Sequence, residues 1–593
     1  MSDTYESRLA DWNKARFAPP PEKPLAPTEP THIKTVPMRD GIHLYTEIFL
    51  PLSSTPTPVV LIRSPYPYSR PSRNDKRPIS RYQQAGYAVV FQLTRGQGQS
   101  QGQFRLLQDD INDGYDAIQW ITEQSWSNGK VGMEGSSYLG STQLMAAKSK
   151  HPALKCIMPT AFVGNWTHSF PFSWGVPNKA PYMQWQQVLD AERSNDMDVV
   201  YGDMNALNHP AWGPAFRHRP LVDAADSVLN GDKLANWRDT ISSPVDNDFW
   251  QAIHFTDEEL GELDFPVFFT DGWHDATFGP IDFFTRLEKR QSTNPDHYLL
   301  VGPWDHYQTY TNSHPGDDNG DRVLPDNGAC DHISQRLAFF DRYLKEDKTC
   351  VVQEDRVRVY ITGAPNSNAN LWKHFPTFPV PGTEKKCLYL HSQGDARSFP
   401  GDGVLNFEQP NDEPTDHYIY DPDLPTSSLL ETSKDRRQTE VRSDVLTYTS
   451  EPLSEALTIL GDIKLTLHAA SNAPDTDWFA ILTEIYPDGQ SKSFHYAPPA
   501  FRARYREGFD KEVFLTPDQP EEFNIPMGAA GHQIAAGHCL RLSIFSAAFP
   551  EYDPNSNTGN PAATDTDSRI AKQTIYHDSA RASCLILPVI PLG

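Results

Sequence analysis

The sequence predicts an α/β protein: a mainly parallel sheet domain, interrupted by a helical insertion and followed by an all-β sandwich. Three observations carry this prediction. Strand-length apolar runs such as Pro58–Arg63 and Gly86–Phe91 suit strands buried on both faces of a parallel sheet. A serine-bearing turn stands between a short strand, Lys130–Gly135, and a helix through Thr142–Ala147. From about residue 351 the pattern changes to short alternating strands separated by turns such as Pro487-Asp488-Gly489.

At 593 residues the chain is long enough for several domains. Its formal charge is −25, from 52 Lys and Arg against 77 Asp and Glu. Such a field repels polyanions, so neither nucleic acid nor a membrane surface is an expected partner. No stretch approaches the ~20 apolar residues of a transmembrane helix. Met1–Glu6 is polar, without the apolar core of a signal peptide, and the expectation is a cytoplasmic location. The six cysteines are scattered without a C-x-x-C pair, which reads as free thiols. No metal or other cofactor is expected.

In chain order, residues 1–30 are polar and Pro-rich, an extended arm. Asp40-Gly41, between Ile33–Val36 and Ile42–Leu50, predicts a hairpin. The Pro58–Arg63 strand ends in Ser64-Pro65-Tyr66, and Gly86–Phe91 leads into the Gly-rich Thr94–Gly102. No Gly-Lys-Ser/Thr follows these glycines, so they read as a tight loop and not as a phosphate cradle. Asp109–Gln124 is an amphipathic helix ahead of the serine-bearing strand, and Leu154–Pro159 is the strand after it. Residues 161–255 are rich in aromatics with imperfect helical periodicity, the mark of an inserted cap. The sheet domain therefore comprises 31–160 and 256–350. Its later strands, Phe265–Thr270 and His297–Gly302, run into Asp271-Gly272-Trp273-His274-Asp275 and Pro303-Trp304-Asp305-His306. Residues 351–593 form the sandwich, with strands at Val357–Gly363, Lys386–His391, Leu457–His468, Phe479–Tyr486 and His538–Ala547.

The strand–serine–helix turn matches the nucleophile elbow of an α/β-hydrolase, where small residues must flank a sharply turned serine. Ser137 has Gly135 two residues before it, whereas Ser136 would have Glu134 there, so Ser137 is the candidate nucleophile. The second glycine of the usual pattern is displaced by one, to Gly140, with Leu139 in its place. A plain Gly/Ser turn is the alternative reading of this stretch alone. In an elbow, the backbone N–H of the next residue, Tyr138, faces the developing oxyanion.

Gly-x-Ser-Tyr-x-Gly after Gly-x-Val-Gly-Met resembles the bacterial cocaine esterases, which group with the α-amino-acid ester hydrolases and X-Pro dipeptidyl-peptidases. The resemblance runs from about residue 33 to 590. It implies that the acid of Gly-Trp-x-Asp is Asp275, with Asp271 and His274 as competitors of ordinary turn character. It implies that the last residue of Gly-Pro-Trp-x-His, His306, is the base. Tyr66 would donate its phenol hydrogen to the oxyanion, although alone it reads as a packing aromatic. In the family's esterases the cap shapes the acyl pocket; Phe162, Trp166 and Phe170, which follow a strand closely, are the candidates here, while most cap aromatics read as core. Asp475–Ala480 followed by Pro487–Gly489 is similar to the family's C-terminal jelly-roll domain. The family usually has an Asp two residues before the Arg of its Arg-Gly loop; Leu93 stands there, so that ion pair is absent or rebuilt.

Ser137, Asp275 and His306 occur in the chain order of an α/β-hydrolase triad. The implied activity is cleavage of an ester, or an amide, of a small-molecule acyl substrate through an acyl-enzyme. X-Pro dipeptidyl-peptidase and acyltransferase are the enzymatic alternatives, and a binding protein without activity is the non-enzymatic one. Relatives include dimers, and a homodimer is expected only by that analogy.

Overall fold

The computed structural model describes residues 29–591 except 71–78, 190–208, 244–246, 276, 278, 291–295, 311–317, 320–321, 366, 398–400, 429–434 and 495–498. Most of the expected N-terminal arm lies outside the described residues.

The first sheet begins with the expected hairpin, β1 (His32–Pro37) and β2 (His43–Phe49). Its centre is built from β3 (Thr57–Ser64), β4 (Ala88–Leu93), β5 (Ser127–Ser136), β6 (Leu154–Thr160), β7 (Val267–His274), β8 (His297–Asp305) and β9 (Val357–Gly363), closed by β10 (Leu371–Phe375). The spatial order is β1-β2-β4-β3-β5-β6-β7-β8-β9-β10, parallel from β4 to β9. Every residue of β3, β4 and β7 is buried, as expected for the central strands of a parallel sheet covered on both faces. Helices α1 (Asp110–Thr122) and α2 (Tyr138–Lys148) pack against β5, the strand that leads into Ser137.

Between β6 and β7 lie a small hairpin (Phe172–Ser173 with Val176–Pro177) and the helices α3 (Lys179–Val188) and α4 (Gly231–Ile241), with shorter helical turns. Their aromatics largely pack on one another. Tyr182 stacks on Trp185 and on Trp237, and Phe172 meets Trp250 edge-on. Helices α5 (Gly279–Lys289) and α6 (His332–Tyr343) return to the sheet.

The expected sandwich start at 351 is too early: Val357–Gly363 and Leu371–Phe375 extend the first sheet, because β9 pairs in parallel with β8 and β10 pairs with β9. From Glu384 onward the chain is mainly β. Strand β11 (Glu384–His391) pairs with β17 (Cys584–Val589), β17 with β12 (Leu457–Ser471), and β12 with both β14 (Glu521–Ile534) and β16 (Ala571–Asp578). Opposite them, β13 (Asp477–Ile485) pairs with β15 (Cys539–Phe545). Buried Leu465, Leu467, Ile525, Trp478, Leu482 and Leu542 fill one core between the layers. The sandwich is joined to the first sheet by backbone: Thr362 and Gly363 of β9 pair in parallel with His532 and Gln533 of β14.

Beneath the elbow lies a buried charge network that sequence patterning does not show. Arg63 of β3 is fully buried; its guanidinium contacts the Asp110 carboxylate at 2.7 Å and the Gln92 amide oxygen at 3.0 Å. Asp110 also accepts from the Tyr138 hydroxyl at 3.1 Å. Burial pushes the Asp110 carboxyl up, and Arg63 opposes that shift. Arg63→Met would strand Asp110 without its cation; loss of one partner of a buried pair costs about 3–5 kcal/mol. A clear fall in the thermal unfolding midpoint is expected.

Candidate active site

The elbow forms because three small-residue positions meet. Ser137 has φ 61° and ψ −129°, a strained conformation for a non-glycine residue. Gly135 has φ 145°, and a Cβ there would lie 2.5 Å from Leu139 Cβ. The displaced glycine has its own reason: a Cβ on Gly140 would lie 2.8 Å from Phe162 Cβ and 3.0 Å from the Thr160 carbonyl oxygen. Helix α2 thus approaches the end of β6 closely at Gly140, while Leu139 occupies the position the usual pattern gives to glycine. Ser137 N–H donates to the Thr160 carbonyl at 2.9 Å, tying the turn to β6.

Ser137, Asp275 and His306 lie at or just beyond the carboxyl ends of the parallel strands β5, β7 and β8, the edge where α/β sheets place ligands. His306 Nδ1 and Asp275 Oδ2 are 2.8 Å apart. The other Asp275 oxygen accepts from Thr277 N–H at 3.0 Å. Asp275 is 1 % exposed and the His306 side chain 30 %, so the carboxylate is sealed while the ring is partly exposed. With Nδ1 engaged, Nε2 is the ring nitrogen left for a reacting group.

Asp271 is fully buried in β7 and accepts from Gly272 N–H at 3.0 Å. Burial first, and then the Asp275 charge, push its carboxyl well above the usual range. His274 is buried at the end of the same strand. The contact with His306 therefore belongs to Asp275 and not to Asp271.

Tyr138 opens α2, so its N–H has no intrahelical acceptor. Its ring is buried, and its hydroxyl accepts from Leu107 N–H at 2.9 Å. Tyr66, just beyond β3, receives the Trp185 indole N–H at 2.9 Å on its phenol oxygen. Of the three pocket candidates, Phe170 is half-buried and meets Trp185 edge-on with ring centres 5.9 Å apart. Phe162 is fully buried between Phe283 and Phe269, and Trp166 is 3 % exposed with its backbone N–H on His254 Nε2. Trp185 is the site-side residue that sequence reading passes over among the cap aromatics. The ion pair missing at Leu93 is rebuilt: Arg95 binds Asp113 and Asp40, each at 2.6 Å.

The sandwich approaches the end of β7 at Trp273, two residues before Asp275. The Trp273 indole donates to the Tyr360 carbonyl at 2.5 Å, and a Cβ on Gly531 of β14 would lie 2.5 Å from the indole ring. Only glycine allows this approach.

Residues 40–308 match the model of the X-Pro dipeptidyl-peptidase (S15) family, and residues 350–586 match that of the X-Pro dipeptidyl-peptidase C-terminal non-catalytic domain. The cocaine esterase of Rhodococcus sp. (strain MB1 Bresler) is 30% identical over 590 residues, covering 94% of this chain and 97% of that protein. This chain belongs to the S15 family of serine hydrolases. Among solved structures of like fold, an aminopeptidase from a Thaumarchaeota archaeon superposes with a TM-score of 0.80 at 25% identity, covering 96% of this chain and 98% of that one. An α-amino acid ester hydrolase superposes at 0.78 with 27% identity, covering 96% and 99%. The S15 membership agrees with the α/β sheet followed by a β-sandwich, and it makes the chain a hydrolase. Among the described residues no helix is long and apolar enough to cross a membrane.

Proposed function

We propose that this S15 member hydrolyses a carboxylic ester of a small acyl substrate, with amides within reach of the same chemistry, through Ser137, His306 and Asp275. The observation that carries the reading is the 2.8 Å contact of His306 Nδ1 with buried Asp275, at the same sheet edge as the strained Ser137 elbow. A serine hydroxyl is a weak nucleophile until a base takes its proton. His306 Nε2 accepts that proton as Ser137 Oγ attacks the acyl carbon. Asp275 keeps the imidazole in the right tautomer and stabilises the imidazolium. The Tyr138 N–H and the Tyr66 phenol stabilise the oxyanion. His306 then protonates the leaving alcohol or amine, and water, activated by the same ring, releases the acyl group. The cocaine esterase and the α-amino acid ester hydrolase support the ester, and the archaeal aminopeptidase supports extension to amides.

A serine-directed sulfonyl fluoride tests the nucleophile. It is expected to stop p-nitrophenyl acetate hydrolysis and to mark the peptide at Ser137. A mark on Ser136, or full activity with the reagent bound elsewhere, contradicts the assignment.

The pair also sets a pH dependence. Burial opposes the His306 imidazolium, but the Asp275 carboxylate, aided by Asp305, outweighs it, so His306 titrates above the ordinary 6.5. Protonated His306 cannot accept the Ser137 proton, so kcat/KM is expected to fall as pH drops through a value above 6.5. The stabilisation from the pair has the opposite sense: it is fully present below the unfolded imidazole pKa and is lost as pH rises through the folded value. A pH profile of kcat/KM whose acid limb lies below the ordinary imidazole range would contradict the pairing.

A further inference from the structure

We infer that Trp185 is a positioning residue for the oxyanion hole: its indole N–H fixes the Tyr66 phenol so that the phenol hydrogen is directed to the substrate. This rests on the ester-hydrolase reading above, in which Tyr66 is an oxyanion donor.

An indole N–H can only donate. At 2.9 Å from the Tyr66 oxygen it must occupy an acceptor position of the phenol, so the phenol hydrogen is not spent on Trp185. A phenol that accepts such a bond is also polarised into a stronger donor. The contact further removes the rotational freedom that a lone phenol O–H would keep. Trp185 itself is held firmly. It is 8 % exposed, stacks on Tyr182 at 5.7 Å and meets Phe170 edge-on.

The same indole stacks on the Tyr138 ring, with centres 6.0 Å apart and planes at 27°. Tyr138 carries the other oxyanion donor on its backbone. One side chain from α3 therefore touches both residues of the hole, one by a hydrogen bond and one by ring contact. The insertion between β6 and β7 contributes to the chemical step through this residue, and not only to the shape of a pocket. The Tyr66 backbone is tied separately: its N–H donates to Ser64 Oγ at 3.1 Å and its carbonyl accepts from Ser69 Oγ at 2.9 Å. Trp185 thus acts on the phenol end of a residue whose backbone end is already fixed.

The test is a double-mutant cycle on p-nitrophenyl acetate with Trp185→Phe, Tyr66→Phe and both. Trp185→Phe keeps a ring for stacking and removes the N–H. Tyr66→Phe is expected to lower kcat by about 10²–10³-fold, the loss of one oxyanion donor. Trp185→Phe is expected to lower kcat by about 2–10-fold, the value of one neutral hydrogen bond, with KM nearly unchanged. The double variant should be no slower than Tyr66→Phe alone, because without the phenol the indole has nothing to position. Trp185→His, which keeps a ring N–H but fills the space less well, should retain more kcat than Trp185→Phe. Independent, multiplying effects, or a Trp185→Phe kcat equal to wild type, would overturn the proposal while leaving Tyr66 as a donor. An unimpaired Tyr66→Phe would instead overturn the oxyanion reading on which it rests.

Discussion

Ser137→Ala is expected to abolish turnover of p-nitrophenyl acetate, with a fall in kcat on the order of 10⁴–10⁶-fold, as when the nucleophile of a serine triad is removed. The fold should survive the change. Alanine keeps a Cβ, so it preserves the steric demand of the φ 61° turn without adding to it, and Ser137 N–H still reaches the Thr160 carbonyl. A loss of activity with an unchanged thermal unfolding midpoint separates the chemical role from a structural one. The neighbouring Ser136 is the control: it is 3 % exposed at the end of β5, and Ser136→Ala is expected to stay within a few-fold of wild type.

Asp275→Asn should be nearly as severe, with kcat falling about 10⁴-fold, because the amide favours the wrong imidazole tautomer. A carboxylate oxygen can only accept, so the 2.8 Å contact calls for the hydrogen on His306 Nδ1 and leaves Nε2 with the lone pair that must accept the serine proton. An amide that presents its NH₂ to Nδ1 would make that nitrogen the acceptor and leave Nε2 protonated. The remaining carboxylate oxygen accepts from Thr277 N–H, which favours the amide placing its oxygen there and its nitrogen towards the ring. Asp271→Asn is the matched control. The His306 contact is made by Asp275, while Asp271 is buried in β7 and accepts from Gly272 N–H, a bond the amide oxygen can keep, so activity near wild type is expected. If Asp271→Asn were the damaging change and Asp275→Asn the mild one, the acid would be misassigned. Steady-state kinetics of both variants with p-nitrophenyl acetate decides between them.

What was legible in the sequence follows the range of the interactions. Ser137 could be preferred to Ser136 as the candidate because the requirement is local: the residue two before it must tolerate the positive φ that Gly135 adopts and must leave room for Leu139. Asp275 and His306 were named through the resemblance of two short strand-end motifs, and the structure puts the two side chains in contact across 31 positions. The strand ends themselves were less clear. Asp271 and Gly272 have turn-like character, yet they remain in β7 because Val301 and Gly302 of β8 continue to pair with them. A strand expected to stop at Thr270 therefore runs to His274.

The rest depends on contacts between distant segments. Trp185 lies 119 positions from Tyr66, among aromatics whose spacing suggests only an apolar core, and nothing local separates it from Trp237 or Trp250. The elbow's displaced glycine reads as a motif failure until Phe162 is seen against Gly140. That same packing puts Phe162 in the interior, although its place just after β6 suggested a pocket wall. The brace of Gly531 on Trp273 joins residues of the two family-model segments, and neither position announces it alone.

The measurement that bears most directly on the central claim is a rapid acid quench of wild-type protein turning over p-nitrophenyl acetate, followed by mass mapping of its peptides. An acetyl group is expected on the peptide containing Ser137, located at that residue by fragmentation, and none on the same peptide of Ser137→Ala. An acetyl group on Ser136 or on another side chain, with turnover persisting in Ser137→Ala, would contradict that claim.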